Sequence, residues 1–151
     1  PLYESGPFDL QIEHCLGWTV ATWGTSDYFN TCNNSIGFHN VGIPSNLIGY
    51  QNGFNGNGYT GGAFYYLGDN TGFYREYIQG KTISTLINGK KYYFSLQLSL
   101  ANSSAMAIDH IDVVFTTTKI SQPGSWKPLN NVPTITFTNS SFDDDDLVSI
   151  N

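Results

Sequence analysis

Two neighbouring stretches of the chain alternate between apolar and polar positions. The first runs over 92–100 and the second over 107–116, with a polar turn at 102–104 between them. The apolar positions are Phe94, Leu96, Leu98 and Leu100 in the first stretch, and Ile111, Val113 and Phe115 in the second. A period of two is typical of strands with one buried side. The pattern therefore predicts a β-hairpin over 89–118, around which the rest of the chain is organised.

One acidic residue breaks this alternation. Asp109 lies in phase with Ile111 and Val113, so the pattern predicts that its carboxylate points inward or sits at the buried entrance of the strand. An unpaired buried charge costs several kcal/mol or shifts its pKa, so such a carboxylate needs a partner. Arg75, in a chain with few cations, could pair with Asp109 or with Asp27.

Further strands are predicted on both sides of the hairpin. Residues 8–12 place Phe8, Leu10 and Ile12 on one face, and 132–138 alternate with a proline that suits an edge strand. Between them, 33–63 is rich in Asn and Gly, which indicates loops. We expect an all-β protein with a single domain over 1–151.

Composition and charge narrow the possible partners. The 151 residues carry a net charge of −6, which argues against nucleic acid or an anionic membrane as partner. No apolar run approaches the roughly 20 residues of a membrane span. The two cysteines, Cys15 and Cys32, predict one disulfide, and the alternative is two buried thiols.

Catalytic motifs are absent from the sequence. His14, His39 and His110 have no metal-ligand spacing and no motif-bearing nucleophile beside them. Glu76 and Asp109 are the best carboxylates for cleaving a sugar, but Glu76 directly follows Arg75 in a strand-like run, where adjacent residues face opposite ways. The sequence therefore favours a protein that is not an enzyme.

Aromatic residues in loop-like stretches are the candidates for ligand binding. Sugar rings stack their C–H faces on flat aromatic rings, while amides and carboxylates bind the hydroxyls. The candidate binding residues are Trp18, Trp23, Tyr28, Tyr50 and Trp126. The alternative is that these side chains plug the ends of the fold.

Several segments together resemble a known domain. They include Gly-Thr-Ser-Asp-Tyr-Phe-Asn-Thr-Cys at 24–32, Tyr-Arg-Glu-Tyr-Ile-Gln at 74–79, Gly-Lys-Lys-Tyr-Tyr-Phe-Ser-Leu at 89–96 and Ala-Ile-Asp-His-Ile at 107–111. In order and spacing they resemble the N-terminal β-sandwich domain of gliding-motility-associated and OmpA-like surface proteins of Bacteroidota. The opening at 5–9 matches that family only loosely.

This resemblance implies a galactose-binding-like jelly-roll β-sandwich of two packed antiparallel sheets, without enzymatic activity. It implies export to the cell surface, often by the type IX secretion route. Similar carbohydrate-binding modules hold a structural Ca²⁺, whose acidic ligands here would be Asp9 and Asp109. Family members continue past the position of Ile150, so we expect this chain to be a fragment of a longer protein.

The resemblance and the aromatic residues together predict a recognition module that binds a polysaccharide or a surface or outer-membrane protein. The second expectation is a structural or docking component of the secretion or outer-membrane apparatus, with no small ligand.

Overall fold

The residues that the structure describes are all-β apart from one short 3-10 helix, Gln11–His14. A computed structural model describes residues 11–33, 40–64 and 74–138, and the backbone of 148–150. Ten strands lie in these segments. They are β1 (Trp18–Thr19), β2 (Asp27–Asn30), β3 (Ser45–Asn46), β4 (Gly49–Tyr50), β5 (Gly58–Gly61), β6 (Gln79–Gly80), β7 (Leu96–Leu98), β8 (His110–Val113), β9 (Ile135–Thr138) and β10 (Val148–Ile150).

Within the described segments, the strands pair into five antiparallel sheets of two strands each. β2 pairs with β5, placing Phe29 opposite Tyr59, and β1 pairs with β6, placing Trp18 opposite Gly80. β3 pairs with β4, β7 with β10, and β8 with β9. The strand predicted over 8–12 is wrong where it is described, because Ile12 lies in the 3-10 helix.

The predicted central hairpin is also wrong, because its two arms pair with other strands. β7 of the first arm pairs with β10, and β8 of the second arm pairs with β9. The alternation itself is confirmed, since Ile111 and Val113 are half-buried while His110 and Asp112 are exposed. A period of two determines which side of a strand is buried, but it does not select the partner strand.

Aromatic rings nevertheless connect the two arms. Phe94 contacts Phe115 edge to face, with ring centroids 5.9 Å apart, and stacks on Phe137 of β9 at 6.1 Å. These contacts bring the first arm against the β8–β9 pair through side chains. The turn predicted at Asn88-Gly89 is confirmed by the hydrogen bond from Lys90 N to Ile87 O and by a φ of 79° at Gly89.

The buried core of the described residues lies around β2. Phe29 is 0 % exposed and stacks on Tyr59 of β5, with ring centroids 5.0 Å apart. The other buried apolar residues are Ile12, Val20, Ala21 and Val41. All of them precede the two alternating stretches, so the best-packed part of the molecule is the β2–β5 pair and the segments around it.

No helix in the described segments is long and apolar enough to cross a membrane.

Candidate functional site

Two of the predicted ligand-binding residues come together at the surface. Trp23 and Trp126 are 53 % and 50 % exposed. Their ring centroids are 5.5 Å apart and their planes meet at 65°, an edge-to-face arrangement. We call them the tryptophan pair. About a hundred residues of sequence separate them, so this contact exists only in the folded chain.

Backbone hydrogen bonds hold the tryptophan pair in place. Trp23 N donates to Ser125 O at 3.0 Å, and Gln122 N donates to Ala21 O at 2.7 Å. The loop over 120–126 therefore runs along 21–23. Gly124 has a φ of 83°, in the left-handed region that favours glycine, and a Cβ there would lie 3.8 Å from the Trp23 ring. The loop thus passes close beside the indole.

The side-chain amide of Gln79 fixes the start of the same loop. Its Nε2 donates to Ile120 O at 3.2 Å, and its Oε1 accepts from Ile120 N at 2.8 Å. At the other end of the loop, Leu129 N donates to the hydroxyl of Tyr77 at 2.9 Å. Trp126 consequently lies on a loop that is fixed at several points, and Trp23 lies on the segment beside it.

The other predicted aromatic residues lie on separate elements. Trp18 is exposed on β1, and its ring covers the backbone of Gly80. Tyr28 is half-buried on β2, with its ring against Gly58 of β5. Tyr50 is exposed on β4, where its backbone N–H donates to Asn102 Oδ1 at 2.6 Å. Trp18 and Tyr28 thus pack on strand glycines, which fits the alternative that aromatic side chains cover the fold.

A buried carboxylate lies beneath the segment that carries Trp23. Glu76 is 6 % exposed. Its Oε1 accepts from Thr25 N at 3.0 Å, Thr25 Oγ1 at 3.1 Å and the Tyr74 hydroxyl at 2.6 Å, and its Oε2 accepts from Ala63 N at 2.6 Å. One side chain thereby links three chain segments. Burial, together with the hydrogen bond from the Tyr74 hydroxyl to Glu76, raises the pKa of Tyr74 to about 12.

Asp27, which the sequence suggested only as a possible partner of Arg75, is a second acid beside this core. Burial, with the charge of Glu76 adding to it, raises the pKa of Asp27 to about 7. Its Oδ1 is buried and has no hydrogen-bond partner among the described residues. The sequence did contain a signal for the burial of Asp27, because Asp27 is two residues from the buried Phe29 and faces the same side of β2. The same period-two argument, applied to β2 instead of the central hairpin, would have found it.

The prediction that Asp109 faces inward is wrong. Its side chain is 89 % exposed and its Oδ1 contacts Nδ1 of His110. β8 begins at His110, so Asp109 precedes the strand and the phase of Ile111 does not extend to it. Arg75, which the sequence suggested as a partner of Asp109 or Asp27, donates from Nη1 to the backbone oxygen of Tyr74 at 2.8 Å.

The calcium site at Asp9 and Asp109 stays a prediction, because the structure describes only one of its two acidic ligands. Asp9, the other predicted ligand, lies outside the described residues. No three His, Cys, Asp or Glu side chains within 11–33, 40–64 and 74–138 are grouped as metal ligands.

The predicted disulfide is not formed in this structure. Cys15 is half-buried just after the 3-10 helix, Cys32 is exposed just after β2, and both are free thiols. Burial raises the pKa of Cys15. An even cysteine count allows a bond but does not bring the two sulfur atoms together.

Comparisons with protein-family models, with curated proteins and with solved structures find no match to this chain.

Proposed function

We propose that this protein is a non-catalytic recognition module of a cell surface, and that it binds a glycan at the tryptophan pair. The observation that supports this proposal is the contact between Trp23 and Trp126, two half-exposed indoles 5.5 Å apart on two segments that backbone hydrogen bonds hold together. Large aromatic side chains left in water at a fixed position are typical of binding surfaces.

The angle between the rings indicates the shape of the ligand. Coplanar rings suit a flat chain that lies across both of them, whereas planes that meet at 65° form a corner. In that corner one sugar ring stacks on an indole face, and its edge meets the second indole. We therefore favour a chain end or a bent glycan over an extended flat polymer.

The surroundings of Glu76 and Asp109 support the non-catalytic part of this proposal. Glu76 is buried and accepts four hydrogen bonds from the protein, so it does not reach a substrate. Asp109, the other carboxylate considered for catalysis, is exposed beside His110.

The finer fold and the location belong to the same proposal. The resemblance of 24–32, 74–79 and 107–111 to the surface domains of Bacteroidota supports a jelly-roll β-sandwich exported by the type IX route and associated with gliding motility. The strands and short antiparallel sheets are compatible with such a sandwich.

Glycan binding by the tryptophan variants tests the proposal. A glycan array identifies a ligand, and titration calorimetry then compares Trp23→Ala and Trp126→Ala with the parent chain. We expect each variant to weaken binding about fivefold, since an aromatic contact contributes about 1 kcal/mol. Phe54→Ala is the matched control, because Phe54 is exposed but lies on another loop. Unchanged affinity in both tryptophan variants, or an array without any bound glycan, would contradict the proposal.

A structural or docking component of the secretion or outer-membrane apparatus is the second candidate. The observation that favours it is the exposed stretch 81–93, whose large apolar side chains are in contact with solvent. They are Ile83, Leu86, Ile87, Tyr92 and Tyr93. In that case Ile83→Ser with Ile87→Ser would abolish co-sedimentation with outer-membrane fragments, whereas the tryptophan variants would not.

A further inference from the structure

The two segments that form the tryptophan pair differ in charge from the rest of the chain. The chain has twelve acidic and six basic residues, but neither 14–26 nor 113–138 contains an Asp or a Glu. The second of these segments carries Lys119 and Lys127, both exposed. The Trp126 segment therefore carries two cations and no carboxylate, in a protein of net charge −6.

Both lysines are attached to backbone that the structure holds in place. Lys127 follows Trp126 directly, and its N–H donates to Ser125 Oγ at 3.2 Å, which closes a tight turn. Lys127 is therefore attached one residue from the exposed Trp126 ring, at a Cα spacing of about 3.8 Å. Lys119 precedes Ile120, whose backbone N–H and C=O both bond to the Gln79 amide.

The chemistry of these groups distinguishes between classes of sugar. The hydroxyls of a neutral sugar both donate and accept hydrogen bonds, so carboxylates and ammonium groups can each bind them, but a lysine ammonium is a donor only. The nearby buried acid, Glu76, is already occupied by four protein donors. An ammonium forms its strongest hydrogen bonds with an anionic oxygen. A sugar with a carboxylate or sulfate group supplies such an oxygen together with a ring face for stacking.

From this arrangement we propose that the tryptophan pair, with Lys119 and Lys127, is a binding site for anionic saccharides. This proposal rests on the proposed function, since it specifies the ligand class of the same site. The indoles provide the stacking surface, and the two ammonium groups select glycans that carry carboxylate or sulfate groups.

Matched pairs of polymers test the selection. The probes are polygalacturonate and its carboxyl-reduced form, and a sulfated galactan and its desulfated form. Each is titrated calorimetrically into the full chain at low and at moderate salt. We expect at least one anionic polymer to bind about tenfold more tightly than its neutralised form, and moderate salt to weaken that binding. The carboxylated and sulfated arms separate the two sources of the anionic group.

Lysine variants locate the selecting charges. Lys119→Gln with Lys127→Gln should remove the preference for the anionic polymer and leave binding of the neutral form unchanged. Lys90→Gln with Lys91→Gln is the matched control, since it removes the same charge from exposed positions on another stretch. Equal losses in both double variants would mean attraction by net charge alone and would overturn the site.

The remaining outcomes separate this inference from the proposed function. If the neutral polymer binds as tightly as the anionic one, and Trp126→Ala weakens both, the anionic preference fails while the glycan site stands. If no polymer binds, or if Trp23→Ala and Trp126→Ala leave anionic binding unchanged, the proposed function fails as well.

Discussion

Asp27 places a carboxyl oxygen in the core without a donor from the described residues, next to the buried Glu76. The two acids differ in their surroundings, because Glu76 accepts four hydrogen bonds and the Oδ1 of Asp27 accepts none. Burial therefore favours the neutral form of Asp27, and the charge of Glu76 adds to this effect. The structure consequently holds a proton on Asp27 at a pH where the unfolded chain has released it.

This proton makes the free energy of unfolding depend on pH. The pKa of Asp27 is about 7 in the folded protein and 3.8 as its ordinary value. The raised pKa stabilises the folded state fully below pH 4, and that contribution is lost as the pH rises towards 7, by at most about 1.4 kcal/mol per pH unit. We expect Asp27→Asn to flatten the fall in stability between pH 5 and 7, as measured by urea unfolding.

Glu13→Gln is the control for this measurement. Glu13 is exposed and accepts a hydrogen bond from Thr19 at 2.7 Å, so its substitution should leave the slope between pH 5 and 7 unchanged. A parent protein that is equally stable at pH 5 and 7 would show that Asp27 is ionised in the folded state.

Glycines decide how closely the elements around β2 approach one another. A Cβ at Gly24 would lie 2.8 Å from Arg75 O and 2.9 Å from the Cα of Glu76. A Cβ at Gly61 would lie 2.9 Å from the ring of Phe29. Such contacts are shorter than side chains tolerate, so the strand pair and the Glu76 segment pack at this distance only because glycine occupies these positions.

Gly24→Ala should therefore destabilise the protein more than an alanine at an unpacked glycine. The clash is with backbone atoms, which cannot rotate away, and we expect a loss of about 3 kcal/mol in the free energy of unfolding. Gly56→Ala is the matched control. Gly56 has a φ of 84° and open space around it, so alanine there costs only the left-handed conformation, about 1 kcal/mol. Urea unfolding measures both variants, and equal losses would contradict the close packing at Gly24.

Burial is unevenly distributed over the molecule as a whole. The buried apolar side chains of the described segments fall between Ile12 and Val41, and the buried Glu76 connects to them through Thr25. The stretch 81–93 contrasts with this region, since every residue in it is exposed. Regions with few buried contacts open at lower free energy than the core.

Native-state hydrogen exchange should reproduce this distribution. The amide of Asn30 donates to Val41 O at 2.9 Å beside the buried Phe29, and we expect such amides in β2 and β5 to be the most protected. Amides in 82–86 should exchange about a hundredfold faster, relative to their intrinsic rates. Similar protection in both regions would show that 81–93 is covered by another part of the molecule in solution.

Local pattern was sufficient for several elements of the fold. The alternation over 107–116 and 132–138 correctly indicated β8 and β9, and Asn88-Gly89 correctly indicated a turn. These features depend on neighbours in sequence, through the pleat of a strand and the preference of glycine for positive φ. The all-β class follows from the same local preferences.

Contacts between distant residues could not be obtained in this way. Alternation did not predict that β7 pairs with β10, that Asp109 lies outside β8, or that Cys15 and Cys32 remain unbonded. It also did not select Trp23 and Trp126 from the other candidate aromatic residues. The sequence by itself determined which segments are strands and turns, because those preferences are local. The tertiary structure decided which strands pair, which acids are buried and which indoles meet, because these depend on how distant segments pack.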